Sequence, residues 1–126
     1  MYFADKIPRL QIDDVPPTAR SLAVIVEDPD ATKGTFTHWL LFNVDPHTRE
    51  LSGVLPAGAI QGKNDNGITG YNGPKPPSGE HRYFFKAFAL DRQLQLPEGV
   101  SRLELESEMH NHILTTATLM GRYACK

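Results

Sequence analysis

The chain has 126 residues, of which 40% are hydrophobic and 22% are charged, and its formal net charge at pH 7 is −2. This length suits the core of one globular domain, so we expect a single domain over residues 1–126, and the weak charge without basic runs argues against a nucleic-acid partner. The single cysteine, Cys125, excludes an intramolecular disulfide. No stretch approaches the roughly 18 apolar residues of a membrane span and no secretion signal is visible, so we expect a cytoplasmic protein.

The first segment with strong strand character is Ser21–Glu27, an apolar and β-branched run. It lies between Pro17 and the turn residues Asp28-Pro29-Asp30. A short continuous apolar run between turn residues is typical of a strand that is buried on both faces. We therefore expect a central strand that leaves Asp28 at one end of the sheet.

A second central strand is predicted over Phe36–Val44, the most aromatic segment of the chain. Side chains along a strand alternate between its two faces. The alternation predicts one face with Phe36, His38, Leu40 and Phe42, and an opposite face with Thr37, Trp39, Leu41 and Asn43. A lone histidine in an apolar row is more often a core residue than a ligand-binding residue, and both interpretations of His38 remain open at this point.

Residues 45–80 are rich in glycine and proline and are predicted to be mostly loop. Brief strand pairing is expected at Ala59–Lys63, and Asn64-Asp65-Asn66-Gly67 predicts a left-handed turn. The loop ends in Gly73-Pro74-Lys75-Pro76-Pro77-Ser78-Gly79, where three prolines with fixed φ stiffen the backbone between two glycines. We interpret this proline segment as a rigid wall beside a pocket.

The last third of the chain predicts a strand, a helix and another strand. A strand over His81–Leu90 places His81 and Tyr83 on one face, next to the proline segment. Ser101-Arg102-Leu103-Glu104 has the form of a capping box and predicts a helix that ends near His110. The β-branched segment Ile113–Met120 predicts the final strand.

Polar side chains suited to one site stand at the ends of the three strong strands: Asp28, His38, and His81 with Tyr83. Consecutive strands tend to be neighbours, so we expect these side chains to converge at one edge of the sheet. Two imidazoles and a phenol can donate hydrogen bonds to a small oxyanion, and a carboxylate can fix the tautomer of one imidazole. Because Asp28 would repel a bare phosphate, the set favours a ligand with an ammonium group beside the phosphate, as in phosphoethanolamine.

Two other classes of function remain possible. In a hydrolase, Asp28, His38 and His81 would hold a metal, or a histidine would act as a general base. The sequence has no nucleophile elbow and no close pair of metal ligands. His110 and His112 are close in sequence, but their side chains would diverge on a helix. We therefore expect no catalytic residue, metal or cofactor. In an interaction protein, the proline segment would itself dock a partner.

Three motifs in this order resemble the phosphatidylethanolamine-binding protein family, in its bacterial and archaeal Raf-kinase-inhibitor-like branch. The motifs are Asp28-Pro29-Asp30-Ala31, His38-Trp39, and Gly73-Pro74-x-Pro76-Pro77-x-Gly79-x-His81-Arg82-Tyr83. The similarity runs from about Val15 to Tyr123 and includes Gly62-x-Asn64-Asp65-x-Gly67 and Gly121-x-Tyr123.

The resemblance implies a mainly β fold, an antiparallel Greek-key arrangement like a β-sandwich with one short helix near the C-terminus. It also implies a non-enzymatic protein whose small pocket binds phosphate-like anions or phospholipid head groups, and which regulates a kinase or a protease. The ligand-binding positions of the family fall on Asp28, His38, Gly73, Pro74, His81 and Tyr83. Asp30, in the same motif, is expected to shape the loop rather than contact the ligand.

The chain departs from the family pattern in two places. Thr32 stands where the family motif usually has a proline, which puts the rigidity of that loop in question. The N-terminal strand pair that usually precedes the segment resembling Ile7–Pro17 has no counterpart in the sequence. We expect an uncovered sheet edge as a result, and a homodimer that covers the exposed surface.

Overall fold

The computed structural model describes residues 9–73 and 80–124. Within these ranges the chain forms seven strands and one helix: β1 (Leu10–Gln11), β2 (Ser21–Asp28), β3 (Phe36–Val44), β4 (Glu50–Leu51), β5 (Ile60–Gln61), β6 (Glu80–Leu90), α1 (Arg102–Met109) and β7 (Ile113–Ala124). The three strong strands and the helix are confirmed, and the final strand is longer than predicted. Most of the proline segment, Pro74 included, lies outside the described residues.

Five strands form one antiparallel sheet in the order β5-β3-β2-β6-β7, and β1 pairs with β4 in a separate two-stranded sheet. Strands β2, β3 and β5 lie side by side in the larger sheet, and β6 returns along the free side of β2. Counted along the chain within this sheet, β2 is the first strand and β6 is the fourth. A fourth strand that lies beside the first is the Greek-key arrangement. The predicted mainly β, antiparallel Greek-key fold is therefore confirmed.

Apolar side chains pack on both faces of the larger sheet, in two separate clusters. The cluster on one face includes Leu51 of the small sheet, and the cluster on the other face includes Leu105 and Met109 of α1. Strand β2 contributes to both clusters, and all eight of its residues are buried. This double burial explains why the strand is a continuous apolar run rather than an alternating one.

The helix α1 begins at the predicted capping box. The Ser101 hydroxyl accepts from the Glu104 backbone N–H at 3.1 Å, and the Glu104 carboxylate accepts from the Ser101 backbone N–H at 2.9 Å. These two bonds satisfy two N–H groups at the start of the helix. Hydrogen bonds from the Ser101 backbone and side chain lower the pKa of the Glu104 carboxyl. None of the described helices has the length and apolar character needed to cross a membrane.

A buried carboxylate ties α1 to the sheet. Glu27 of β2 accepts from the Arg102 guanidinium and from Lys86 Nζ at 3.1 Å, and Arg102 also donates to the Thr37 hydroxyl at 3.1 Å. Burial raises the pKa of Glu27, but the bonds from Arg102 and Lys86 outweigh it and the net pKa lies below the ordinary value. The face of the sheet that carries α1 is thus polar at this end.

Strand β3 does not alternate as predicted, because bulges interrupt its register with β2. Val26 pairs with Trp39 and Glu27 pairs with Thr37, so His38 is the extra residue of a bulge. The His38 ring contacts Tyr83 of the first cluster, whereas two other residues of its predicted row pack in the helix-side cluster, namely Leu40 and Phe42. The prediction that Phe36, His38, Leu40 and Phe42 share one face is therefore wrong.

The predicted opposite row of β3 is also broken near its end. Asn43 has a positive φ of 55° and lies where the second register shift occurs. Its amide exchanges two hydrogen bonds with the backbone of Leu94, a residue of the helix-side cluster. Asn43 therefore does not share a face with Trp39 and Leu41, which belong to the first cluster.

Strand β7 forms one edge of the larger sheet and pairs with β6. No described strand pairs with its other side. Several large apolar side chains of this strand are exposed: Leu119 by 58%, Ile113 and Met120 by 42%, and Leu114 by 41%. Among the described residues, β7 is therefore a long edge strand that carries exposed apolar side chains.

Candidate functional site

A cavity of about 600 Å³ opens at one end of the larger sheet. Because β3 and β6 both run antiparallel to β2, their first residues lie beside the last residues of β2. The cavity is lined by five of the six predicted ligand-binding residues, Asp28, His38, Gly73, His81 and Tyr83. The sixth, Pro74, lies outside the described residues. The structure thus brings together side chains that are up to 55 positions apart in the sequence.

Asp28 and His81 form a buried hydrogen-bonded pair in the wall of the cavity. His81 Nδ1 lies 2.7 Å from Asp28 Oδ2, and the two side chains are only 9% and 4% exposed. The other carboxylate oxygen, Oδ1, accepts from the backbone N–H of Asp30 at 2.8 Å. Because an ionised carboxylate can only accept, Nδ1 carries the proton and the bond fixes both the tautomer and the orientation of the ring.

His38 is held by a backbone carbonyl rather than by a carboxylate. Its Nδ1 lies 2.7 Å from the carbonyl oxygen of Asn72, and the Asn72 N–H donates to the His38 carbonyl at 2.9 Å. The ring also contacts the rings of Phe36 and Tyr83, at centroid distances of 4.7 and 5.1 Å. Burial lowers the pKa of His38, and the Asn72 bond, with the more distant Asp28 and Asp65 charges, offsets only part of that effect.

The remaining nitrogen of each ring, Nε2, has no hydrogen-bond partner among the described residues. Every buried side-chain nitrogen or oxygen of the described residues has a partner. Neither Nε2 atom is therefore buried, although His38 and His81 are only 6% and 7% exposed as residues. Both residues line the cavity, so the cavity is where the two Nε2 atoms are accessible.

Asp30 and Arg82 join the loop after β2 to the start of β6. The Arg82 guanidinium donates two hydrogen bonds of 2.9 Å to the Asp30 carboxylate, and the Arg82 backbone N–H donates a third of the same length. These bonds hold the pKa of Asp30 far below its usual range. Asp30 is not a lining residue, and its three bonds to Arg82 position the loop after β2.

The structure adds lining residues that the sequence reasoning did not select. Asp65 and Thr37 exchange two hydrogen bonds, of 2.7 and 2.9 Å, that hold the 62–73 loop against β3. Lys33 also lines the cavity and forms no ion pair with any described residue. The sequence marked Asp65 as part of a turn, but nothing in it placed Asp65 or Lys33 at the cavity.

Within residues 9–73 and 80–124, no group of three histidine, cysteine or acidic side chains is arranged to hold a metal ion. His112 bonds to Asp91 at 2.9 Å and lies 3.2 Å from Arg92, at the far end of β6 and β7. It is therefore remote from the cavity.

The model of the phosphatidylethanolamine-binding protein family matches residues 4–124. A UPF0098 protein of Methanothermobacter thermautotrophicus is 47% identical over 122 residues, which are 92% of this chain and 81% of that protein. A UPF0098 protein of Pyrococcus horikoshii is 44% identical over 94% of this chain and 65% of its own length. The chain therefore corresponds to only part of these longer relatives.

Two solved structures are similar in fold and in sequence. The crystal structure of a phosphatidylethanolamine-binding protein homolog from Chlamydia trachomatis superposes with a TM-score of 0.91 at 41% identity, over 96% of this chain and 82% of that one. The crystal structure of Escherichia coli YbcL, described as a member of the mammalian family, gives a TM-score of 0.88 at 32% identity, over 97% and 82%.

Proposed function

The chain belongs to the phosphatidylethanolamine-binding protein family, and on this premise we propose that it binds phosphate-like anions, including phospholipid head groups such as phosphoethanolamine. One observation carries the proposal. Two buried histidines, His38 and His81, are each held through Nδ1 and each leave Nε2 accessible in the same cavity. Such preorganised nitrogens, with little side-chain freedom left to lose, suit recognition of a small polar group.

His81 is the residue through which we expect the negative charge to be bound. If its ring takes up a second proton, Nε2 becomes a donor toward the ligand while Nδ1 still donates to Asp28. The Asp28 carboxylate then balances the charge of the ring. Lys33 adds a positive charge at the rim, and Tyr83 is positioned beside His38.

The arrangement favours binding over hydrolysis. Among the described residues, neither histidine is hydrogen-bonded to a hydroxyl or thiol that it could activate as a nucleophile. Asp28 is engaged by His81 and by the Asp30 N–H, so it is not placed as a free general base. We therefore propose a protein that holds its ligand without transforming it.

Calorimetric titration with phosphoethanolamine and with inorganic phosphate tests the proposal. The unmodified protein is expected to bind both, and His81→Ala is expected to lose at least about tenfold in affinity, the equivalent of one charge-assisted hydrogen bond. His110→Ala is the matched control, because His110 is exposed and does not line the cavity. Absence of binding in the unmodified protein, or equal loss in both variants, would contradict the proposal.

A role in regulating a kinase or a protease would use the rim of the same cavity. Residues 32–35 are exposed and also line the cavity. A protein docked on this loop and an anion in the cavity would contact the same segment. We therefore propose that any such partner competes with the anion.

We also propose a homodimer, formed through the exposed edge strand β7. An edge strand offers unpaired backbone groups, and apolar side chains on such an edge favour association with another strand. Two copies related by a two-fold axis would place the same strand on both sides of the interface.

A further inference from the structure

We propose that His38 accepts a hydrogen bond from the bound ligand, so that the cavity selects anions that carry a hydrogen-bond donor of their own. This inference rests on the proposed function, since it concerns the same site. It adds that the two histidines play opposite parts: His81 donates to the anion and His38 accepts from it. A suitable ligand therefore presents both an acceptor and a donor.

The hydrogen bond to Asn72 determines which nitrogen of His38 carries a proton. A backbone carbonyl can only accept, so at 2.7 Å from the Asn72 oxygen the Nδ1 atom must be the N–H of the ring. In a neutral imidazole the other nitrogen is then an acceptor. The Nε2 atom that faces the cavity thus offers a lone pair to the ligand.

Charged groups near His38 decide whether the ring stays neutral. Asp28 at the end of β2 and Asp65 in the 62–73 loop favour a second proton, and Lys33 in the 31–35 loop and a protonated His81 on β6 would oppose it. Burial disfavours the charged ring most strongly, and the pKa of His38 lies below its ordinary value. His38 is therefore neutral near pH 7.

His81 differs from His38 in the group that holds its Nδ1. A second proton on His81 would be balanced by the Asp28 carboxylate at 2.7 Å. A second proton on His38 would charge a ring whose Nδ1 faces a neutral carbonyl instead, and no carboxylate of the described residues is hydrogen-bonded to that ring. The chemistry of the two partners thus assigns the donor role to His81 and the acceptor role to His38.

Two kinds of anion carry a suitable donor. A phosphomonoester with one proton has a P–OH group, and its second pKa of about 6 leaves a large share of it in this form near that pH. A phosphodiester has no P–OH group, but an attached primary ammonium supplies N–H donors. The shared chemistry is an anion with an acidic O–H or N–H close to its negative oxygens.

Four probes separate these sources by calorimetry near pH 6. Methyl phosphate and dimethyl phosphate differ in the P–OH group, and glycerophosphoethanolamine and glycerophosphocholine differ in the ammonium N–H. We expect the donor-bearing member of at least one pair to bind about tenfold more tightly, the equivalent of one hydrogen bond. A preference in the first pair that weakens as the pH rises from about 6 to about 7 identifies the P–OH group as the donor, because that rise removes the P–OH proton and leaves the dianion. A preference in the second pair identifies the ammonium.

Equal binding within both pairs would overturn the inference and leave the proposed function standing, whereas binding of none of the four would overturn both. His38→Ala is expected to remove the preference.

Nitrogen-15 spectra of the histidine rings give a readout that does not depend on this variant. At pH 7, His38 should keep an unprotonated Nε2 both free and with methyl phosphate bound, and a protonated Nε2 in the complex would overturn the inference.

Discussion

His81 donates from Nδ1 to the Asp28 carboxylate at 2.7 Å, between neighbouring strands β6 and β2, and both side chains are buried. This bond joins the two central strands at the mouth of the cavity. It also sets the tautomer of one of the two rings that we propose for anion binding. The same contact therefore affects both stability and recognition.

Replacing His81 should destabilise the protein as well as weaken binding. His81→Ala leaves the buried Asp28 carboxylate with the Asp30 N–H as its remaining bond, and losing a charge-assisted bond at a buried site costs about 2–3 kcal/mol. Urea unfolding at neutral pH measures the free energy of unfolding. His112→Ala is the control, since its bond to Asp91 is similar in length at 2.9 Å but partly exposed, and its loss should cost less than about 1 kcal/mol. Similar losses in the two variants would contradict the account.

The Asp30–Arg82 contact should affect affinity without contributing directly to the ligand site. Asp30→Asn weakens three hydrogen bonds that position the loop after β2, so we expect phosphate to bind several-fold more weakly, by about 1 kcal/mol or less. Asp45→Asn is a matched control, because Asp45 also bonds locally, to His47, but lies away from the cavity. Complete loss of binding in Asp30→Asn would mean that Asp30 contacts the ligand itself.

The buried His38 should make stability depend on pH in one direction. Burial lowers the pKa of His38 in the folded chain, while the unfolded chain keeps the ordinary value near 6.5. The unfolded chain therefore binds more protons just below that pH, and the free energy of unfolding falls as the pH drops from about 7 to about 5. His38→Asn, which keeps a donor for the Asn72 carbonyl, should lose less stability over the same range. An identical pH dependence in both proteins would show that His38 does not titrate as described.

The sequence predicted the strands and the helix well because their signals are local. The apolar run of β2, the aromatic β3 and the capping box at Ser101 each depend on residues within one element. His81 and Tyr83 were also placed correctly on a shared face, since the register of β6 with β7 is regular over this stretch. Local period and local turn chemistry were sufficient for these features.

The position of His38 could not be derived in the same way. Strict alternation placed it in the row of Leu40 and Phe42, whose side chains face the helix. The bulge that turns its ring toward Tyr83 arises from the register between β3 and β2, which depends on both strands together. The Asn72 carbonyl that holds the ring is a backbone group, so no residue type in the sequence marks it.

The proposed homodimer has its own test. Light scattering at micromolar concentrations should give twice the chain mass of 14.0 kDa. Leu119→Lys, at a position that is 58% exposed on β7, should shift the mass toward that of one chain, because the charge would be placed in the interface. Val54→Lys, at an 83% exposed position outside the strands, should not. A single-chain mass for the unmodified protein would contradict the dimer.

The most direct test of the central claim is a phosphate titration followed through the histidine ring resonances by NMR. We expect the resonances of His38 and His81 to shift together with one affinity, because both rings line the same cavity. The resonances of His110 and His112, outside the cavity, should stay in place. If phosphate leaves both His38 and His81 unshifted, the cavity is not the anion site and the two histidines serve only to hold the fold.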